Sequence, residues 1–294
     1  MKPASFAYFS PKSLDEALAN IAEVGDDGGK ILAGGQSLVP AMNFRMAQPT
    51  ALVDLNEIQE LFYIKPTDTG GLMIGAMTRD RTVELDSLVK KRAPIIPECL
   101  YWMAHPTIRN RGTFGGALAH SDPAGQLPVV AVVMNFNFHI QSKDADRWSG
   151  ADDFFVSVYT TSLEADEILT GIEVPAMTKM SGYSYKQVSR QTGESALLGV
   201  ATLLSLNDAG IVKDSRIAYM GVAEKPVMAM EAMAMLNGNQ PSDELITEAI
   251  EATVKGELDP GADIHASVEY RLHLARTLGA ASVKEAVIRA AKQE

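Results

Sequence analysis

The chain has 294 residues and a formal net charge of −11 at pH 7, and this acidic balance argues against a protein that binds nucleic acid or a membrane surface. Its one cysteine, Cys99, excludes an internal disulfide, a four-cysteine zinc site and an iron–sulfur cluster held by this chain alone. No apolar run approaches the roughly 18 residues that span a bilayer, and the first residues lack the pattern of an export signal, so we expect a cytoplasmic protein without membrane insertion.

The N-terminal region predicts a small βαβ-like unit, which favours parallel strand pairing. Ser13 is the predicted N-cap of a helix that starts at Leu14, with Glu16 as its capping-box partner. A strand, a helix and a second strand are then predicted at residues 30–33, 38–46 and 51–55.

The middle of the chain alternates between strands and helical stretches. Strands are predicted at residues 72–77, 136–141 and 168–174, and helical stretches at residues 82–103 and 127–134. Pro94 and Pro97 are expected to interrupt the first helical stretch. Residues 105–126 hold four glycines and two prolines with few periodic apolar positions, so we expect a long irregular loop there, and such loops are usually functional.

The pattern restarts at residues 176–182, which predicts a boundary between a domain of residues 1–176 and a domain of residues 177–294. The second domain is expected to begin with an antiparallel meander of strands at residues 182–190, 196–207 and 211–222. Helices are predicted after it at residues 228–236, 242–254 and 268–291, the last one broken near Gly279.

Several common sites are missing from the sequence. No Gly-x-Gly-x-x-Gly follows the first strand, and the spacing around Gly28-Gly29-Lys30 does not fit a phosphate-binding P-loop. Neither Ser37 nor Ser195 has the second glycine of a nucleophile elbow. The pair Asp152-Asp153 is interpreted as a turn or helix start rather than as a catalytic carboxylate pair.

Two glycine pairs remain: Gly34-Gly35 in the first glycine segment, residues 32–38, and Gly115-Gly116 in the second glycine segment, residues 113–117. A diphosphate accepts hydrogen bonds from main-chain N–H groups, and missing β-carbons allow it to approach the backbone. The first pair lies between a strand and a helix, where helix-start amides and the hydroxyl of Ser37 also favour an anion. The alternatives are an ordinary strand-to-helix turn for the first pair and a β-bulge for the second.

The two segments belong to a wider set of motifs. The set comprises residues 33–40 (AGGQSLVP), 44–46 (FRM), 52–55 (LVDL), 74–78 (IGAMT), 105–116 (HPTIRNRGTFGG), 119–123 (AHSDP), 127–128 (LP) and 221–226 (GVAEKP). Together these motifs resemble the FAD-binding medium subunit of molybdenum hydroxylases, a family that includes carbon monoxide dehydrogenase, nicotine dehydrogenase and the flavin domain of xanthine dehydrogenase. The resemblance spans nearly the whole chain.

The resemblance implies an α+β fold with a two-lobed FAD-binding domain of the vanillyl-alcohol-oxidase-like (PCMH) type. Its lobes are expected at about residues 1–57 and 58–176, followed by a C-terminal domain of antiparallel sheet and helices. The implied function is that of an oxidoreductase subunit that passes electrons from [2Fe–2S] clusters through FAD to an external acceptor. A large partner subunit would hold molybdopterin and oxidise the substrate, a small partner would hold two [2Fe–2S] clusters, and the heterotrimer is expected to be doubled. The substrate and the acceptor stay open.

The same resemblance implies a set of cofactor-binding residues around an FAD that lies between the lobes. The set is Leu32, Ala33, Gly34, Gly35, Gln36, Ser37, Leu38, Ile108, Thr113, Gly115, Gly116, Ala117, Ser121, Asp122, Gln126, Ile172 and Lys186. Many relatives carry Asn where Ala117 stands and Asp or Glu where Gln126 stands, so two contacts differ here. Lys186 resembles a family lysine near the flavin, where a cation would favour an anionic reduced flavin; the alternative is a solvated strand lysine.

Two other functions stay open on the sequence. A flavin-free assembly scaffold of the same fold is motivated by Ala117 and Gln126. A stand-alone flavin oxidoreductase would turn over without partner subunits, although the sequence shows no substrate-binding residues beyond the two glycine segments.

Overall fold

The computed structural model describes residues 1–292, so that residues 293–294 of the predicted C-terminal domain lie outside the described residues. The strands are β1 (Ala7–Phe9), β2 (Lys30–Leu32), β3 (Ala51–Asp54), β4 (Ile64–Pro66), β5 (Leu72–Gly75), β6 (Asn137–Gln141), β7 (Asp146–Gly150), β8 (Phe155–Ser157), β9 (Thr160–Thr161), β10 (Ile168–Val174), β11 (Ser181–Ser189), β12 (Ala196–Leu206), β13 (Val212–Met220) and β14 (Val227–Met228). The helices are α1 (Leu14–Val24), α2 (Leu38–Asn43), α3 (Asp80–Leu85), α4 (Ser87–Arg92), α5 (Ile95–Trp102), α6 (Pro106–Arg109), α7 (Phe114–His120), α8 (Gln126–Met134), α9 (Ala151–Phe154), α10 (Met230–Leu236), α11 (Asp243–Gly256) and α12 (Val268–Ala291).

The first sheet has the order β1-β3-β2 with both pairs parallel, which confirms the predicted parallel pairing. Helix α1 packs on it through Ala17, Leu18 and Ile21, which share one face at helical spacing and are buried. The side chain of Ser13 accepts a hydrogen bond from the N–H of Glu16, as predicted for the N-cap, whereas the Glu16 carboxylate accepts from the N–H of Lys12 rather than closing the box on Ser13.

The second sheet is antiparallel and has the order β4-β5-β10-β6-β7. Helix α8 packs between α5 and the third sheet, and all nine of its side chains are buried. A helix that is apolar all round belongs in an interior, which explains why residues 127–134 show no polar face. Among residues 1–292, no helix combines the length and the apolarity needed to cross a membrane.

The helical stretch at residues 82–103 differs from the prediction. It forms three helices, α3 to α5, and its first break falls at Asp86, whose carboxylate caps α4 by accepting from the N–H groups of Leu88 and Val89. The second break lies at Ala93 just before Pro94, whereas Pro97 sits within α5. Pro97 is tolerated because the first turn of a helix does not need its N–H.

The expectation of an irregular loop at residues 105–126 is wrong. The helices α6 and α7 occupy much of this stretch, and the glycine pair lies in the first turn of α7 rather than in a β-bulge. Thr113 caps α7 through its hydroxyl, which accepts from the N–H of Gly116 at 3.2 Å. The small residues at the start of α7 show no apolar period, and for this reason their pattern favours a loop.

The third sheet has the order β11-β12-β13-β14 and forms the predicted antiparallel meander. Helix α12 packs across β11 and β12, and the predicted break near Gly279 is wrong because α12 is continuous. A β-carbon at Gly279 would collide with the hydroxyl of Tyr219, a fully buried side chain of β13. This glycine therefore permits close helix–sheet packing instead of ending the helix.

One carboxylate joins α5 to the third sheet. Glu98 accepts a hydrogen bond from the N–H of Tyr185 at 2.8 Å and pairs with Arg289 of α12 at 2.6 Å. The guanidinium of Arg289 also lies over the ring of Tyr183. Charge-assisted bonds of this kind hold the last helix and the second half of the chain against the first half.

We expect Gly279→Ala to destabilise the protein by about 1–3 kcal/mol, the usual cost of overpacking a filled interior. The matched control is Gly256→Ala at the end of α11, where a β-carbon meets nothing within 4 Å. Urea unfolding of both variants checks the prediction. An unfolding free energy of Gly279→Ala that equals that of Gly256→Ala would show that Tyr219 gives way without cost.

Candidate functional site

A cavity of about 810 Å³ lies between the first and second sheets and is lined by both glycine segments. Its volume falls within the roughly 300–1,000 Å³ that is typical of pockets for small ligands. The wall also includes the turn at residues 76–80, the start of α8, the stretch 163–169 and residues 193–195 from the second half of the chain. Residues far apart in sequence thus line one cavity.

The two glycine segments are brought together at the cavity. A β-carbon at Gly34 would collide with the carbonyl oxygen of Arg111 and would lie 2.8 Å from the Cα of Gly112. A β-carbon at Gly116 would lie 3.3 Å from the β-carbon of Ala33. Only glycine allows main chains to approach this closely, so at Gly34 the residue type follows from the contact itself.

Two side chains tie the segments together. The guanidinium of Arg79 donates to the carbonyl of Arg111 and to the side-chain oxygen of Asn56, each at 2.7 Å. Asn56 in turn donates to the carbonyl of Ala33 at 2.8 Å. The chain Arg111–Arg79–Asn56–Ala33 therefore fixes the spacing of the two segments from behind the cavity.

The first glycine segment offers main-chain donors to the cavity. Within residues 1–292, no protein acceptor pairs with the N–H groups of Gly34, Gly35, Gln36 and Ser37. Gly35 has φ +73°, a left-handed conformation that turns the chain here at little cost only for glycine. Ser37 stands at the N-cap of α2, yet its hydroxyl makes no cap bond. Successive unpaired N–H groups beside a left-handed residue form a concave site for an anion.

The second glycine segment uses most of its N–H groups within the protein. Phe114 donates to the carbonyl of Thr78 and Gly115 to the carbonyl of Ala76, both at 2.9 Å. A β-carbon at Gly115 would lie 2.5 Å from that of Ala76. The second segment therefore forms a close-packed wall opposite the first segment, and the free amides come from the first segment.

The cavity gathers most of the predicted cofactor residues. Those on its wall are Ala33, Gly34, Gly35, Gln36, Ser37, Leu38, Ile108, Thr113, Gly115, Gly116, Ala117, Asp122 and Gln126, while Leu32, Ser121, Ile172 and Lys186 do not line it. Ile172 is fully buried in β10. Ser121 ends α7 in a left-handed conformation, and its carbonyl accepts from the N–H of Tyr159.

Lys186 lies on the other face of its strand. It forms an ion pair with Glu285 of α12, whereas its neighbour Gln187 accepts a hydrogen bond at 3.1 Å from Gln126, which lies on the cavity wall. Tyr185, on the same face as Gln187, donates to the same amide oxygen at 2.6 Å. Side chains alternate along a strand, so a shift of one position decides which residue bonds to Gln126.

Two wall residues, Tyr159 and Gly193, carry no signal in the sequence, whereas His120 belongs to the motif at residues 119–123. His120 and Tyr159 stack with their rings 4.8 Å apart, and burial lowers the pKa of His120, so this imidazole is neutral at pH 7. Tyr159 comes from the β8–β9 hairpin and Gly193 from the second half of the chain. Only tertiary structure brings them to the cavity, because no motif surrounds them.

One wall residue of the cavity, Glu167, forms an ion pair with Arg147. Glu167 lies on the wall and accepts two hydrogen bonds from Arg147, at 2.7 and 2.6 Å, which hold the pKa of this carboxyl below its usual range. Arg147 also donates to the carbonyl of Ser162, so that the Arg147–Glu167 pair anchors the stretch before β10.

The pair Asp152-Asp153 lies in the first turn of α9, as interpreted from the sequence, and Asp152 lies 3.8 Å from Arg216.

Two family models match the chain, each over a different part of it. Residues 4–177 match the FAD binding domain in molybdopterin dehydrogenase, and residues 183–286 match the CO dehydrogenase flavoprotein C-terminal domain. The chain is 37% identical to the 6-hydroxypseudooxynicotine dehydrogenase complex subunit alpha of Paenarthrobacter nicotinovorans, over 99% of this chain and 97% of that protein.

Two solved structures have the same fold over nearly their whole length. Carbon monoxide dehydrogenase from Hydrogenophaga pseudoflava gives a TM-score of 0.94 at 34% identity, covering 98% of this chain and 99% of that one. Quinoline 2-oxidoreductase from Pseudomonas putida 86 gives a TM-score of 0.93 at 35% identity, covering 99% of both chains. The predicted α+β architecture is thereby confirmed.

The Arg147–Glu167 pair predicts a stability change with pH. The pKa of Glu167 is lowered in the folded state, so its contribution to stability is present above the ordinary carboxyl range and is lost as the pH falls through the folded pKa. Between pH 5.5 and 3.5, the wild type should lose about 1–3 kcal/mol more than Glu167→Gln. Urea midpoints measure this difference. Glu164→Gln, which removes an exposed neighbour, should follow the wild type; equal slopes for the wild type and Glu167→Gln would contradict the argument.

Proposed function

The chain belongs to the FAD-binding medium subunits of molybdenum hydroxylases, which are oxidoreductase components, and we propose that it passes electrons from [2Fe–2S] clusters of a partner subunit through FAD to an external acceptor. The observation that supports this role is the row of unpaired N–H groups at residues 34–37, at the cavity between the sheets. When bound, FAD supplies reversible two-electron redox chemistry, and the protein supplies its position and its electrostatic surroundings.

The residues present fit the diphosphate of FAD. The N–H groups of Gly34, Gly35 and Gln36 would donate to the phosphate oxygens, and the hydroxyl of Ser37 is free to do the same. The close-packed second segment, with Gly116 beside Ala33, would exclude water from the opposite side. A cradle of neutral donors explains how a chain with net charge −11 holds an anionic cofactor without a cluster of basic side chains.

The proposal includes the predicted partners. A large subunit would hold molybdopterin and a small subunit two [2Fe–2S] clusters, because this chain has one cysteine and a [2Fe–2S] cluster needs several thiolate ligands. The solved relatives described above include a carbon monoxide dehydrogenase whose molybdenum cofactor lacks the Mo-pyranopterin moiety. We further propose a cytoplasmic dimer of heterotrimers.

The predicted domain division near residue 176 is part of the same proposal. The matched ranges 4–177 and 183–286 support it, as does the change from the second sheet to the meander between β10 and β11. Within the first domain, the parallel sheet and the antiparallel second sheet support lobes at about residues 1–57 and 58–176. The cavity lies between these lobes.

A flavin-free scaffold is the second candidate, and Gln126 is the residue that favours it. Its amide donates to Gln187 and is therefore occupied within the protein, whereas many relatives offer a carboxylate at this position. The two functions differ in whether the purified complex contains FAD.

The complex isolated with this chain should release non-covalent FAD on denaturation, close to one per medium subunit. Gly34→Ala should weaken FAD binding by at least about tenfold, because its β-carbon collides with the carbonyl of Arg111 and displaces the row of donors. Flavin absorbance after reconstitution of the flavin-stripped complex measures this affinity.

The matched control is Gly150→Ala, at the end of β7, where a β-carbon meets nothing within 4 Å. It should bind FAD like the wild type. A complex that contains no FAD and cannot be reconstituted with FAD would support the scaffold instead.

A further inference from the structure

Asp80 is a carboxylic acid buried at the junction of the two glycine segments. It begins α3, is only 2% exposed and lies on the wall of the cavity. Its N–H donates to the carbonyl of Gly112 at 3.1 Å, and one carboxyl oxygen packs so closely against Gly112 that a β-carbon there would collide with it. Gly34 of the first segment packs against the other side of Gly112. The carboxyl therefore contacts Gly112, and Gly112 in turn packs against Gly34, the first residue of the row of anion-binding donors.

This carboxyl has no ion-pair partner among residues 1–292, although two arginines are near it. Arg79 is bonded to Arg111 and Asn56, while Arg109 donates to Glu84 at 2.9 Å and to the carbonyl of Met103 at 2.7 Å. The oxygen Oδ1 of Asp80 is buried without any hydrogen-bond partner. None of the contacts proposed between the cavity and the FAD diphosphate uses this carboxyl.

The groups around Asp80 set its proton affinity. Burial raises the pKa of this carboxyl to about 7, Arg109 and Arg79 act in the opposite direction, and Glu84 adds to the rise. The charge of Asp80 also acts on the buried thiol of Cys99, on α5, and on the guanidinium of Arg79. Near neutral pH the side chain is therefore divided between the acid and the carboxylate.

We propose that Asp80 is protonated when FAD binds, so that FAD binding takes up a proton at this side chain. The inference rests on the proposed FAD site. A carboxylate at this place on the cavity wall would repel the diphosphate, because the buried Asp80 side chain is poorly screened by water. Protonation removes this charge and gives the wall a neutral acid. By linkage, FAD binds more tightly at low pH and more weakly as the pH rises through the pKa of free Asp80.

The test titrates FAD into the flavin-stripped complex between pH 6 and pH 9. For the wild type, the Kd of FAD should rise by up to about tenfold per pH unit above pH 7. Asp80→Asn should bind FAD with a pH-independent Kd close to that of the wild type at pH 6. Glu194→Gln, which removes another carboxylate from the cavity wall, should keep the slope of the wild type.

Calorimetry at pH 8 in two buffers of different ionisation enthalpy provides a second measurement. The wild type should take up close to one more proton per FAD than Asp80→Asn. A pH-independent Kd for the wild type, equal slopes for the wild type and Asp80→Asn, or a Kd that falls with rising pH would overturn the inference. If Asp80→Asn fails to fold, a wild type that takes up no proton on binding FAD at pH 8 still overturns the inference. Failure of the wild type to bind FAD at every pH would instead refute the proposed function.

Discussion

The central constraint in this protein is the contact between two main chains, Gly34 against Arg111 and Gly112, which leaves no room for a β-carbon. These backbones form one side of the cavity, whose wall includes residues 34–37, and no acceptor within residues 1–292 pairs with the N–H groups of those four residues. An anion in the cavity would supply the acceptors that the protein leaves out. The bridge from Arg79 to Asn56 maintains this arrangement, so the donors are already in position before a ligand arrives.

The sequence predicts the general plan because much of it is local. The parallel first sheet, the antiparallel meander and the first glycine segment all follow from period and turn residues. Residues 105–126 were less predictable, since the first turn of α7 is built of glycine and has no apolar period. The continuity of α12 at Gly279 could not be predicted either, because the reason for that glycine is Tyr219, sixty residues earlier in the chain.

The site shows the same limit at finer detail. Lys186 and Gln187 are neighbours on one strand, and only the pairing of β11 with β12 decides that Gln187 bonds to Gln126 of the cavity wall while Lys186 pairs with Glu285. Asp80 carries no motif at all, and its importance comes from burial without a partner. Properties that depend on which face a side chain takes, or on what lies behind it, are set by tertiary packing.

Glu98 restricts how the two halves of the chain can move against each other. One partly buried carboxylate holds both a strand N–H of β11 and the guanidinium of Arg289, so the halves cannot slide against each other without leaving a charge unmatched. Sliding at this joint is therefore opposed, which favours a fixed arrangement of the residues that each half supplies to the cavity wall.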